Sequence, residues 1–141
     1  MSTAIDSNVL IALWNEDDTL NTQARSVLDQ ALGRGSLVIA APVYAELLAA
    51  PFRTEGFLDS FCRETGIVVD WNLNEATWRL AGRTFQHYVA RRRRQRRNSG
   101  PRRILADFLI GAHAVHNGFR LLTLDERLYR AAFPRLAILS V

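Results

Sequence analysis

The sequence predicts a doubly wound α/β sandwich, three layers in which a central parallel sheet of four to five strands is flanked by helices on both faces. Three observations carry this. Five short apolar runs lack the polar alternation of a sheet with one wet face: Thr3 to Ile5, Leu37 to Ala40, Ile67 to Val69, Phe119 to Leu122 and Leu136 to Leu139. Helical patterns alternate with these runs, the arrangement that makes parallel sheets. The chain has 141 residues, 48% of them hydrophobic, enough for one domain over 1–141 with its own core.

In order, the Thr3 to Ile5 strand meets cap-type residues at Asp6-Ser7-Asn8 and gives way to a helix over Val9 to Trp14. Apolar residues at Leu20, Ala24, Val27, Leu28, Ala31 and Leu32 give an amphipathic helix over Thr19 to Leu32, ended by Gly33 and Gly35. After the second strand, Pro42 suits the first turn of a helix running to about Ala50, before Pro51. Leu58 to Thr65 is helical and stops at Gly66, and β-branched Ile67-Val68-Val69 is the third strand. A long helix then runs from about Glu75 into an Arg run. Asn98-Ser99-Gly100-Pro101 breaks the chain, and Ile104 to Asn117 is a nearly all-apolar helix closed by Gly118. Thr123-Leu124-Asp125-Glu126 has the spacing of a capping box opening a short helix to about Ala132.

The one cysteine, Cys62, forms no intrachain disulfide, and no Cys/His cluster has zinc spacing. No basic residue precedes Arg25, unlike a signal peptide, and the longest apolar stretch, Leu37 to Ala45, is far below the roughly 18 residues of a membrane span. The expectation is a cytoplasmic protein without membrane association. All 18 basic residues are Arg, and eight of them (Arg91, Arg92, Arg93, Arg94, Arg96, Arg97, Arg102, Arg103) fall in one segment free of acids. Net charge is +4, so without these eight the rest carries −4. A mildly acidic body with one cationic segment is the electrostatic pattern of a polyanion binder.

Four carboxylates interrupt apolar surroundings. Asp6 is the only charged residue among the first fifteen, and Asp107 the only one between Ile104 and Phe119. Glu46 has Pro42, Val43, Ala49 and Ala50 as its helical neighbours. Asp125, like Asp6, follows a strand and points to the carboxyl edge of the sheet, where such folds place their sites. Each has a purely structural alternative: Asp6 as a helix cap, Asp125 as a partner of a helix dipole, Glu46 and Asp107 as partners of Arg. Together, four hard oxygen ligands without His or Cys match Mg²⁺ or Mn²⁺. At about 100° per residue His113 and His116 turn away from Asp107, which suits solvent-facing or interface histidines. Trp14, Phe85 and Phe108 fall at core positions.

Asp6-Ser7-Asn8-Val9-Leu10 resembles the opening D-[ST]-N motif of PIN-domain nucleases, particularly the VapC-type toxins. Pro42-x-x-x-Glu46 is similar to their second acidic element, Ala106-Asp107-x-x-Ile110-x-Ala112 to their A-D-x-x-I-A-A helix, and Leu122-Thr123-x-Asp125 to their L-x-T-x-D element. Ser7 replaces the commoner Thr, and Gly111 stands where a second Ala is usual. The resemblance spans essentially the whole chain. It implies a PIN-like sandwich and an endoribonuclease cutting structured RNA such as transfer or ribosomal RNA. One or two Mg²⁺ or Mn²⁺ ions on Asp6, Glu46, Asp107 and Asp125 would activate water for in-line attack. It also implies a cognate antitoxin and a homodimer. Asn8 and Thr123 are candidates to orient an acid or a water, with capping as the alternative. The Arg run is a candidate grip on RNA phosphates, or else a solvated helix end.

Receiver and haloacid-dehalogenase enzymes also cluster Asp at strand ends, but they need a catalytic Lys, and this chain has none; the same absence excludes a Walker P-loop. A non-catalytic RNA-binding protein on this fold would keep the Arg run but has no need of four acids.

Overall fold

The computed structural model describes residues 2–51, 53–95 and 104–139. Five parallel strands form one sheet: β1 (Thr3–Ile5), β2 (Leu37–Ala40), β3 (Val68–Asp70), β4 (Arg120–Leu122) and β5 (Ile138–Leu139), in the order β3-β2-β1-β4-β5. The described helices are α1 (Ser7–Trp14), α2 (Asn21–Leu32), α3 (Ala41–Leu48), α4 (Glu55–Thr65), α5 (Glu75–Gln95), α6 (Leu105–Asn117) and α7 (Glu126–Ala132). The predicted sandwich is therefore the observed one.

The chain winds outward from β1 to β2 and β3, then returns past β1 to β4 and β5. Right-handed crossovers place the helices of these two halves on opposite faces. Accordingly α1 packs on α2 and α3, while α5 packs on α6. The direction of winding reverses between β1 and β4, and a crevice opens at such a switch point beyond the carboxyl ends of the strands. Register puts Ile5 opposite Leu122, so Asp6 and Thr123 leave adjacent strands side by side. That single pairing decides the location of the site.

The central strands read as apolar runs because both their faces are covered: every residue of β1 and β2 is buried. Ile5, Leu10, Ile39, Leu47, Phe108, Ile110 and Leu121 are among the fully buried core side chains. Trp14 and Phe85 pack on that core only half-buried. No described helix is long and apolar enough to cross a membrane.

Several boundaries differ from expectation. β3 begins one residue late and ends on Asp70, and as an edge strand it leaves Val68 60% exposed. α4 starts at Glu55, because the Thr54 hydroxyl accepts from the Phe57 amide at 3.1 Å. The capping box expected at Thr123 does not form: α7 starts at Glu126 with Asp125 at its N-cap position, and the Thr123 side chain is engaged elsewhere. His113 is not solvent-facing. It is fully buried, with Nε2 2.9 Å from Oδ2 of Asp70, the last residue of β3, so a partner on another element takes up the ring. Exposed His116 bonds Asn74 at 2.8 Å.

Candidate active site

Asp6 sits at the N-cap position of α1, yet its side chain makes no capping hydrogen bond. The capping alternative fails, and the carboxylate, 3% exposed, is directed into the crevice instead. There Thr123 Oγ1 donates to Asp6 Oδ2 at 2.8 Å. The same hydroxyl oxygen accepts from Asn8 Nδ2 at 3.4 Å and from the Asp125 amide at 3.0 Å. One donor and two acceptor positions exhaust a hydroxyl, so Thr123 has no freedom to turn. Asn8 completes the latch by accepting from the Leu124 amide at 3.2 Å. Both supporting residues named from sequence thus hold the loop after β4 against the start of α1.

Glu46 reaches the crevice from α3, which begins directly after β2 and carries its acid on the sixth residue. Ser7 Oγ lies 3.0 Å from Glu46 Oε1 and 3.5 Å from Asp6 Oδ1, with its proton toward the nearer Glu46. Asp107, in the first turn of α6, accepts from the Ile104 amide at 3.4 Å. A helix-capping use is therefore met at Asp107 by geometry, while its charge still acts on both Asp6 and Glu46. Asp125 also makes no capping hydrogen bond with its side chain.

Burial dominates the electrostatics. It pushes the Asp6 carboxyl up to about 6, against the favourable bond from Thr123 and the nearby Tyr129 hydroxyl, and the charges of Asp107 and Glu46 raise it further. Glu46 is raised too, by burial first and by Asp107 after the opposing Ser7 bond. Asp6, Glu46 and Asp107 consequently share one field. Asp125 joins it through Tyr129, whose hydroxyl is raised by burial and then by Asp6, Asp107 and Asp125. Among the described residues no three His, Cys, Asp or Glu side chains form a closed cluster of ligand geometry, so the four acids line an edge rather than a finished cage.

Two participants escaped the sequence reading. Ser7 bridges two acids that are distant in sequence, and its place in D-[ST]-N was the available signal. Tyr129 is fully buried under Asp6, and its hydroxyl lacks a hydrogen bond of good geometry among the described residues. Its position four residues after Asp125, on one face of α7, was the signal for it.

The Arg run divides. Arg91 to Arg94 end α5, where Arg92 donates to the Tyr88 hydroxyl at 3.3 Å. Phe85 and Tyr88 pack on Phe108, the residue after Asp107, with ring centroids 5.0 and 5.4 Å away, so the last third of α5 runs along the start of α6. Arg96, Arg97, Arg102 and Arg103 lie outside the described residues.

A family model described as the PIN domain matches residues 3–134. No curated protein matches the chain. Among solved structures, VapBC2 from Rickettsia felis, bound to a DNA fragment from its promoter, superposes with a TM-score of 0.68 at 16% identity, covering 99% of this chain and 98% of that one. VapBC-1 from nontypeable Haemophilus influenzae gives 0.62 at 19%, covering 99% and 98%. VapC20 from Mycobacterium tuberculosis, a sarcin-ricin-loop-cleaving toxin, gives 0.59 at 15%, covering 93% and 95%. At these identities the likeness is one of fold.

Proposed function

Because the chain belongs to the PIN-domain family, we propose that it is a divalent-metal-dependent endoribonuclease, the toxin of a toxin–antitoxin pair, acting on structured RNA in the cytoplasm. The observation that carries this reading is Asp6: a buried carboxylate, released from capping, clamped by Thr123 and surrounded by further acids. A structural Asp has no use for that arrangement, since burial and like charges both oppose its ionisation. A hard cation offsets both.

The residues fit such an ion, because the donors converging on the crevice are carboxylate and hydroxyl oxygens, with no sulfur or imidazole among them. Asp6, Glu46, Asp107 and Asp125 would hold one or two Mg²⁺ or Mn²⁺ ions. When bound, Mg²⁺ or Mn²⁺ supplies Lewis-acid polarisation of the phosphodiester and acidifies a water. The chain's own residues do the rest. Thr123 fixes the Asp6 carboxylate through Oδ2 and leaves Oδ1 toward Ser7. Ser7 fixes Glu46, and Asn8 holds the Leu124 turn so that Asp125 stays at the same edge. Arg91 to Arg94, at the end of α5, are placed to neutralise RNA phosphates. The expected products carry a 5′-phosphate and a 3′-hydroxyl.

The similar Rickettsia felis and Haemophilus influenzae structures are of VapBC2 and VapBC-1, and for this chain a cognate antitoxin and a homodimer belong to the same reading. The test is cleavage of total RNA with Mg²⁺ or Mn²⁺, with chelator, and by Asp6→Asn. Cleavage confined to the metal-supplied wild type is expected; undiminished cleavage in chelator or in the variant overturns the mechanism. RNA binding without cleavage in either metal would leave an RNA-binding protein on this fold.

A further inference from the structure

We propose that the cleft between the last turns of α5 and the C-terminal end of α7 is a phosphate seat for the RNA strand, gripping one phosphodiester away from the bond cut at Asp6. This rests on the ribonuclease reading and adds to it a defined subsite. Thr84, His87, Arg91 and Arg94 form one wall and Ala131, Ala132 and Pro134 the other, around about 320 Å³. Spacings of three, four and three residues set the four α5 side chains within an arc of about 80°. One helix face thus delivers two guanidinium groups, an imidazole and a hydroxyl to one space, and the wall contains no acid.

The groups in the cleft are uncommitted. Among the described residues neither Arg91 nor Arg94 has an ion pair, whereas Arg92 is engaged by Tyr88. Thr84 is only 8% exposed, and its hydroxyl has no hydrogen-bond partner among the described residues. Thr84 lines the cleft, where its hydroxyl is open to a ligand oxygen. The cleft offers donors almost exclusively, in fork geometry, and the ligand that matches is an acceptor-rich oxyanion, a phosphate above all. Ala131, Ala132 and Pro134 then serve as an apolar rest for the sugar edge. α7 links this cleft to the acids: Ala132 lies seven residues after Asp125, about 10 Å along the helix axis. That is about three nucleotide steps at a stacked rise of roughly 3.4 Å.

The test uses the full chain carrying Asp6→Asn, so that RNA stays intact, and a 12-nucleotide single-stranded RNA followed by fluorescence anisotropy across salt concentrations. Arg91→Gln with Arg94→Gln is compared with a charge-matched control, Arg34→Gln with Arg63→Gln. The cleft variant should bind about tenfold more weakly, with a salt slope shallower by about 0.7 for the one phosphate lost; the control should change neither. Arg91→Lys with Arg94→Lys should restore the slope while recovering only part of the affinity, which separates charge from misfolding. Equal behaviour of cleft variant and control overturns the seat. So does a Glu-rich peptide whose binding needs Arg91 and Arg94 while RNA binding does not, which would mark a protein partner. If the contrast holds but the wild type cuts no RNA, the ribonuclease reading falls and the seat stands; if the wild type cuts RNA without the contrast, only the seat falls.

Discussion

At the scale of single residues, Asp6 trades stability for chemistry. Its folded-state pKa of about 6 lies above the ordinary carboxyl value near 3.8, so between these values the native state holds a proton that the unfolded chain has lost. Stability from this group is complete below about pH 4, falls as pH rises through 6, and is flat above, a loss on the order of 3 kcal/mol. Glu46, raised as well, acts in the same direction. Thermal melts in chelator from pH 4 to 7 should show this decline, and Asp6→Asn should remove most of it, leaving the variant more stable than wild type at pH 7 but inactive. A variant melting below wild type at pH 7 would contradict the sign. Thr123→Val is the opposite kind of change. It strips Asp6 of a donor and leaves the Asn8 amide and the Asp125 amide without their acceptor, costing about 1–3 kcal/mol. Cleavage should fall by about 10- to 100-fold, as when the support of a metal-binding acid is lost. Asp6 was legible in the sequence as a lone charge in an apolar run. Ser7 and Tyr129 were not, because their roles depend on partners brought in by other elements.

At the scale of elements, strands were the most legible feature and helix ends the least. β1, β2 and β4 occupy the middle of the sheet, and double-sided burial leaves a mark that one short run can carry. Ends are fixed by tertiary partners instead. Asn21 Nδ2 closes α1 by donating to the Ala12 and Leu13 carbonyls at 2.8 and 3.0 Å, and nothing near Trp14 announces it. His113 was misjudged for the same reason, since its Asp70 partner lies 43 residues earlier. Gly111 illustrates how a departure from a family pattern is absorbed. On the buried side of α6, a Cβ at this position would overlap the Phe133 ring, which follows α7. The missing methyl lets the α7–β5 corner sit directly on α6. Gly111→Ala should therefore cost about 1–3 kcal/mol by overpacking, despite the gain in helix propensity. Denaturant titration checks this, and Phe133→Leu in the same chain should recover part of the loss; a stabilised Gly111→Ala would show that the ring moves aside freely.

At the scale of the whole molecule, the chain carries a set of acids at the sheet edge and a cationic end on α5, and neither is visible in the net charge of +4. The acids come from four elements, β1–α1, α3, α6 and the β4–α7 junction. The meeting of Asp6 with the loop that carries Asp125 follows from the order β3-β2-β1-β4-β5, because the reversal at β1 brings the ends of β1 and β4 together. The parallel fold was readable from the alternation of runs, and with it the edge; the spacing of the acids within that edge was not, since it depends on side-chain directions that span the chain. Bringing like charges together keeps the folded state under electrostatic strain, so a ligand that neutralises them must stabilise it. If Mg²⁺ or Mn²⁺ binds the native chain alone, stability rises as RT ln(1 + [L]/Kd), about 2.7 kcal/mol at a hundredfold excess over Kd. The wild-type melting temperature at pH 7 should climb with either ion and stay unchanged with an equal ionic strength of Na⁺. In Asp6→Asn the climb should be largely lost, although that variant starts from the higher value in chelator. Equal climbs in both proteins would place the ion elsewhere on the acidic body, and the carboxylate edge would then lose its claim to the metal.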